Sequence, residues 1–205
     1  MAEEKTTGTS PANGGEIEVK GQDVNNIQAE HVTVQFSRTG DIKAQNVLVS
    51  MGGANNVEAE TVELRQSGAQ SVQAKNVNVR QGGVAQARTE SLSMTQGGLV
   101  FAETQEANLT ASNVGAVLAS GDVDMDQSWT RAVITRGDVS MDQSGSGVVV
   151  ARNVTTGDNS GAILMIAGRV DGNVNAVFGP AASAAFGAAF ALVFALILWL
   201  RRRLS

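Results

Sequence analysis

Residues 56–70 read NVEAETVELRQSGAQ, and residues 71–83 read SVQAKNVNVRQGG. The second line repeats the first at a spacing of 15 residues: Val57, Ala59, Val62 and Leu64 return as Val72, Ala74, Val77 and Val79. Self-similarity at a short fixed period is the signature of a solenoid, in which each repeat buries its apolar side only against its neighbours. Followed in both directions, the first apolar residue of each coil falls at Ile27, Ile42, Val57, Val72, Ala87, Ala102, Leu118, Ile134, Val149 and Met165, with a partial coil at Ile17 and Val19 ahead of them. The step is 15 residues, and 16 at 102 to 118, 118 to 134 and 149 to 165.

Within a coil the apolar or small positions recur twice at a distance of two and then skip three, as in Val72, Ala74, Val77, Val79, Gly82 and Val84. Alternation in such short pairs is a strand signal, and five residues per side are too few for a helix. Three short strands per coil predict an all-β fold, a single-stranded triangular β-solenoid of about ten coils. Composition agrees. The 205 residues contain 23 glycines, 2 prolines, no cysteine and only 4 % aromatics, so the core must be built from small β-branched side chains, without disulfides or thiolate metal sites. One corner admits only small residues (Ser37, Gly52, Ser67, Gly82, Gly97, Ser112, Ser128, Ser144), and beside it stand Gln66, Gln81, Gln96, Gln127 and Gln143. Amides stacked in this way can bond to each other along the rod.

The ends differ from the middle. Residues 1–15 are polar and lack an apolar pattern, which predicts a disordered tail before a solenoid over 16–177. The start has neither the basic nor the apolar part of a secretory signal. After Gly179-Pro180, Ala181 to Leu200 carries no charge for 20 residues. At 1.5 Å per residue such a helix reaches about 30 Å, enough to cross a bilayer. Residues 178–205 therefore read as one C-terminal transmembrane helix, with Trp199, Arg201, Arg202 and Arg203 at the interface. Gly179, Ser183, Gly187, Ala191 and Ala195 place a small residue every fourth position, the spacing that lets membrane helices pair. A tail anchor leaves the solenoid in the cytoplasm. The alternative, arginines inside and solenoid outside, follows the positive-inside bias.

Little in the sequence suggests catalysis. His31 is the single histidine, so neither a Ser-His-Asp set nor a paired-His metal site can be assembled. Coils of 15 or 16 residues leave no long loops to carry an active site, and a net charge of −5 without a basic cluster speaks against nucleic acid. Two features stand out. GDVDMDQS (121–128) and GDVSMDQS (137–144) stack Asp122 on Asp138 and Asp126 on Asp142, a pattern that suits either solvated carboxylates or an intervening calcium ion. Trp129, beside Arg131, occupies a corner where neighbouring coils have small residues, and it offers a contact for a protein partner or packs on its own coil.

The stretches from Val57 to Leu64 and from Val72 to Val79 (apolar, any, Ala, two polar, Val, any, apolar) resemble the core repeat of bactofilins, bacterial cytoskeletal proteins. The resemblance implies a β-helical core with polar ends, and head-to-tail polymerisation without nucleotide near the inner face of the membrane. Two departures accompany it: the coils here are shorter and more uniform, and the anchor is C-terminal where the family attaches through an N-terminal segment. The expectation is a membrane-anchored scaffold that forms homo-oligomers through the solenoid ends or the transmembrane helix. A binding module or surface stalk is the alternative.

Overall fold

A computed structural model describes residues 15–172. These form one 16-stranded sheet in which every neighbouring pair is parallel and joins residues one coil apart. The sheet is wound into a β-solenoid of about ten turns, as the repeat predicts. The most regular coils are the 13-residue strands Gly53–Arg65, Gly68–Arg80 and Gly83–Thr95, where pairing continues through two of the three corners. The expected polar tail, the transmembrane helix with its small-residue stripe (Gly179, Ser183, Gly187, Ala191, Ala195) and the interfacial Trp199, Arg201, Arg202 and Arg203 lie outside the described residues. Among the described residues no helix is long and apolar enough to cross a membrane.

The core is a set of vertical columns. One holds Val32, Val47, Val62, Val77, Leu92, Ala107, Val123, Val139 and Val154, all buried. Its neighbour runs from Val19 and Val34 through Leu64, Val79, Met94 and Leu109 to Met125 and Met141. Burying each such side chain favours folding by about 1.5–3 kcal/mol, so the many small residues replace the aromatic core that the composition forbids.

The start of two coils is corrected by the register. Ala102 pairs with Val117, Val117 with Val133, and Val133 with Val149. Val117 and Val133 are fully buried, whereas Leu118 and Ile134, expected to begin these coils, are 39 % and 45 % exposed. The 15-residue step therefore persists to Val117, and the 16-residue steps are the last three. In the coils from Val117 and Val133 the extra residue lies in the corner after the coil start; in the coil from Val149 it lies at the next corner, since Met141 pairs with Thr156 at 15 and Gly145 with Gly161 at 16. Thr104 still pairs with Ala119 at 15, whereas Ala107 pairs with Val123 at 16. A corner can absorb the insertion. A face cannot, because a one-residue slip would turn its side chains inside out.

The corner beside the small residues is built on left-handed backbone. Phe36, Met51, Gln66, Gln81, Gln96, Ala111, Gln127, Gln143 and Asn159 all have φ between 46° and 53° or slightly higher, up to 55° at Gln81. Non-glycine residues pay about 1 kcal/mol or more for this conformation. Each turn recovers it in hydrogen bonds to the next coil: the Gln66, Gln81 and Gln96 amides donate to the Arg80, Thr95 and Thr110 carbonyls at 2.9–3.0 Å. The expected amide ladder is present from Gln66 to Gln96, with Gln66 Nε2 donating to Gln81 Oε1 and Gln81 Nε2 to Gln96 Oε1, both at 3.1 Å.

Candidate functional site

Beneath the glutamines runs a second ladder, made of buried serines. The Ser112 amide donates to Ser128 Oγ at 3.0 Å, Ser128 N to Ser144 Oγ at 3.0 Å, and Ser144 N to Ser160 Oγ at 3.3 Å. Each hydroxyl spends its proton on nearby carbonyls: Ser128 Oγ lies 2.9 Å from the Asp126 oxygen and 3.0 Å from that of Leu109. Small residues are thus needed here for a reason beyond space, since only a short hydroxyl can accept an amide from one coil while donating back into the core. One column over, Thr130 Oγ1 donates to Ser146 Oγ at 2.8 Å, so the interior of these two coils is hydroxylic where the earlier coils have Ala69, Val84 and Leu99.

Trp129 belongs to this corner. It pairs in register with Asn113 on one side and Gly145 on the other. Its ring lies over the next coil: a Cβ at Gly145 would overlap Trp129 Cζ3. The indole rests on a glycine of the next coil rather than on its own coil, and it remains 47 % exposed. It stands at an open trough whose floor includes Ser112, Ser128 and Ser144 and whose edge includes Gln127 and Gln143. Arg131 is exposed two residues on, and its carbonyl lies against Gly147.

The four aspartates form two columns. Asp126 is directly in register with Asp142, and both are exposed. Asp122 and Asp138 are engaged by the fold: the Asp138 amide donates to Asp122 Oδ1 at 2.9 Å, and Asn153 Nδ2 donates to Asp138 Oδ1 at 2.8 Å. Among the described residues no three His, Asp or Glu side chains gather as a metal-binding group. His31 sits exposed at its corner with Nδ1 3.1 Å from Asn46 Nδ2.

The outward side of one face changes character along the rod. The position after each coil start carries Gln28, Lys43, Glu58, Gln73, Arg88 and Glu103 and then turns apolar at Leu118, Ile134, Val150 and Ile166. The charged part is tied coil to coil by Lys43–Glu58 at 2.8 Å and Arg88–Glu103 at 3.3 Å. Lys75–Glu60, at 2.9 Å, does the same at the adjoining corner. Hydrogen bonds and charge from Glu58 and Glu60 raise the Lys43 and Lys75 ammonium groups above their usual range. The column that precedes the coil start changes in parallel, from Asp41, Asn56, Ser71 and Gln86 to Phe101, Ala116, Ala132, Val148 and Leu164. A strict step of 15 from Ala102 reaches Val117 and would have exposed Leu118 as an outward residue. The run Ala116-Val117-Leu118 hides this because it is apolar in either register.

Comparison with known protein families, with curated proteins and with solved structures gives no match.

Proposed function

We propose that this chain is a membrane-anchored structural or scaffolding rod that acts without catalysis and assembles with copies of itself. The observation that carries this reading is the uninterrupted parallel stack. Among the described residues the coils send out no long loop, and the end strands Glu16–Lys20 and Val24–Gln28 at one end, and Gly161–Gly172 at the other, have a partner on one side only. Unpaired strand edges are templates for further pairing. The 20-residue uncharged stretch Ala181–Leu200 supports an anchor, the fourfold spacing from Gly179 to Ala195 supports helix pairing, and a tail anchor places the rod in the cytoplasm. The bactofilin-like repeat adds end-to-end polymerisation to the same picture.

The test is electron microscopy of the full chain in lipid vesicles, with protease added outside. A scaffold gives surface-bound chains of rods or clusters, and an inward charge in an end coil (Val19→Asp) disperses them. Rods that remain single at every concentration refute assembly through the ends. Protease that leaves the solenoid intact on the cytoplasmic side of cells refutes the cytoplasmic placement. A second reading, a binding module, draws on the half-exposed Trp129. It requires Trp129→Ala to lose a partner while assembly is unchanged.

A further inference from the structure

We infer that the apolar face of coils 117–166 is a lateral interface with a second copy of this chain, the two rods lying side by side and pointing the same way. The face is not needed for the core, which lies on the other side of the same strands. Leu118, Ile134, Leu164 and Ile166 are 39, 45, 46 and 55 % exposed, with Ala116, Ala132, Val148 and Val150 half-buried beside them. Together they present on the order of 500 Å² of contiguous surface, toward the upper end of what a monomer leaves open. Pairing two such faces would bury on the order of 1,000 Å², the scale at which specific interfaces begin.

The pattern of the two outward columns selects the occupant. A two-fold axis along the rod, set between the columns, lays each coil on the same coil of the partner and each column on the other column. Small then meets large: Ala116 faces Leu118 of the partner subunit, and Ala132 faces the partner subunit's Ile134. Val148 meets the partner's Val150, and Leu164 meets the partner's Ile166. Toward the other end, Asp41 faces the partner's Lys43, opposite in sign, while Asn56 faces the partner's Glu58 and Gln86 faces the partner's Arg88. No like charges oppose at these levels, and apolar meets charged only where Phe101 faces the partner's Glu103, so the face is complementary to itself over most of its length. An antiparallel pair would match only the apolar half. Parallel rods also bring both C-termini to one side, in keeping with two chains anchored in one membrane. This contact is separate from end-to-end assembly, which uses strand edges.

The chain has no cysteine, so single cysteines report contacts cleanly. Full-length Ala132→Cys and full-length Ile134→Cys, with different tags, are co-expressed and treated in membranes with a short bis-maleimide. The matched control pairs Asp124→Cys with Asp126→Cys, outward positions two residues apart on another face. The proposal expects covalent 132–134 heterodimers several-fold above the control, lost when Ile166→Lys and Leu118→Lys are added. Both sites face water, so these changes leave the β-sheet circular dichroism intact. Equal linking on both faces means that only the anchors pair, and it overturns the proposal. A monomeric chain without linkage also overturns it, and shows the face covered by the chain's own apolar C-terminal segment or by another protein. Val19→Asp separates the two assemblies: it should disperse end-stacked rods while leaving the 132–134 link.

Discussion

Replacing Ser128 by alanine removes about one methylene's worth of volume and no apolar contact, yet it should be among the costlier single changes in the rod. The Ser128 hydroxyl receives the Ser112 amide at 3.0 Å and donates to the carbonyls of Asp126 and Leu109. The Asp126 oxygen keeps a partner in the Ala111 amide at 2.9 Å. The Ser112 amide, in a residue 4 % exposed, keeps none. A buried orphan donor costs about 1–3 kcal/mol, so a loss near 2 kcal/mol is expected. If the rod melts as one unit, that is a fall in Tm of about 4–8 °C. Solenoids interact only between neighbours, however, so the damage should concentrate in coils 102–133. Hydrogen exchange read by NMR should show the Ser112 amide opening roughly 30-fold faster, since each 1.4 kcal/mol is tenfold. Ser67→Ala is the control: the Ser67 hydroxyl donates to the Val49 carbonyl at 3.0 Å, and the residue at the same corner one coil earlier is Gly52. Ser67→Ala should cost about 1 kcal/mol or less. Equal losses for the two variants, or unchanged exchange at Ser112, would refute the ladder as a source of stability.

Other outcomes follow from the same corner and its neighbours. Ala111 has φ of 48° without an amide ladder, so Ala111→Gly should raise stability by up to about 1 kcal/mol, while Gln81→Gly, which also loses two ladder bonds, should gain nothing; thermal melts compare them. Gly145→Ala should push the Trp129 ring outward with little change in Tm, read as a red-shifted emission in a Trp199→Phe background; an unchanged spectrum would show that the ring does not lie on Gly145. Asp126→Asn removes a like-charge pair stacked in register and should raise Tm slightly at low salt and not at high salt. Calcium that stabilises the natural chain but not this variant would place a cation between Asp126 and Asp142, and calorimetry without heat would exclude one. Because Glu58 and Glu60 raise the Lys43 and Lys75 ammonium groups, the contribution of these bridges is present below the ordinary lysine value of 10.5 and lost as pH climbs through the raised value. Glu60→Gln should therefore change stability at neutral pH and have no effect well above pH 10.5.

The coil was legible from Val57–Leu64 and Val72–Val79 because a β-strand's inward residues fall two apart and nothing else in that stretch is apolar. The same rule failed at 116–118 and at 132–134, where the outward residues are apolar too and the alternation loses its contrast. Register there is set by a corner, and the sequence marks that corner only by Ser120-Gly121 and Arg136-Gly137. The glutamine column was legible as a ladder but not as left-handed backbone, since glutamine carries no conformational signature of the kind glycine or asparagine does. Trp129 was recognisable as an intruder. Its resting place was not, because that depends on a glycine 16 residues away.

The placing of extra residues at corners gives the rod a graduated scale. Each coil advances the stack by about 4.8 Å whether it contains 15 residues or 16, since the faces stay in phase and the surplus bulges at an edge. A chain of this kind can gain or lose whole coils without redesigning the rest. Deleting residues 68–82 should join Ser67 to Gly83 in the correct phase and shorten the rod by one step, leaving its ends and its apolar face untouched. The length of the rod is then an arithmetic property of its sequence, counted in coils of fifteen or sixteen residues.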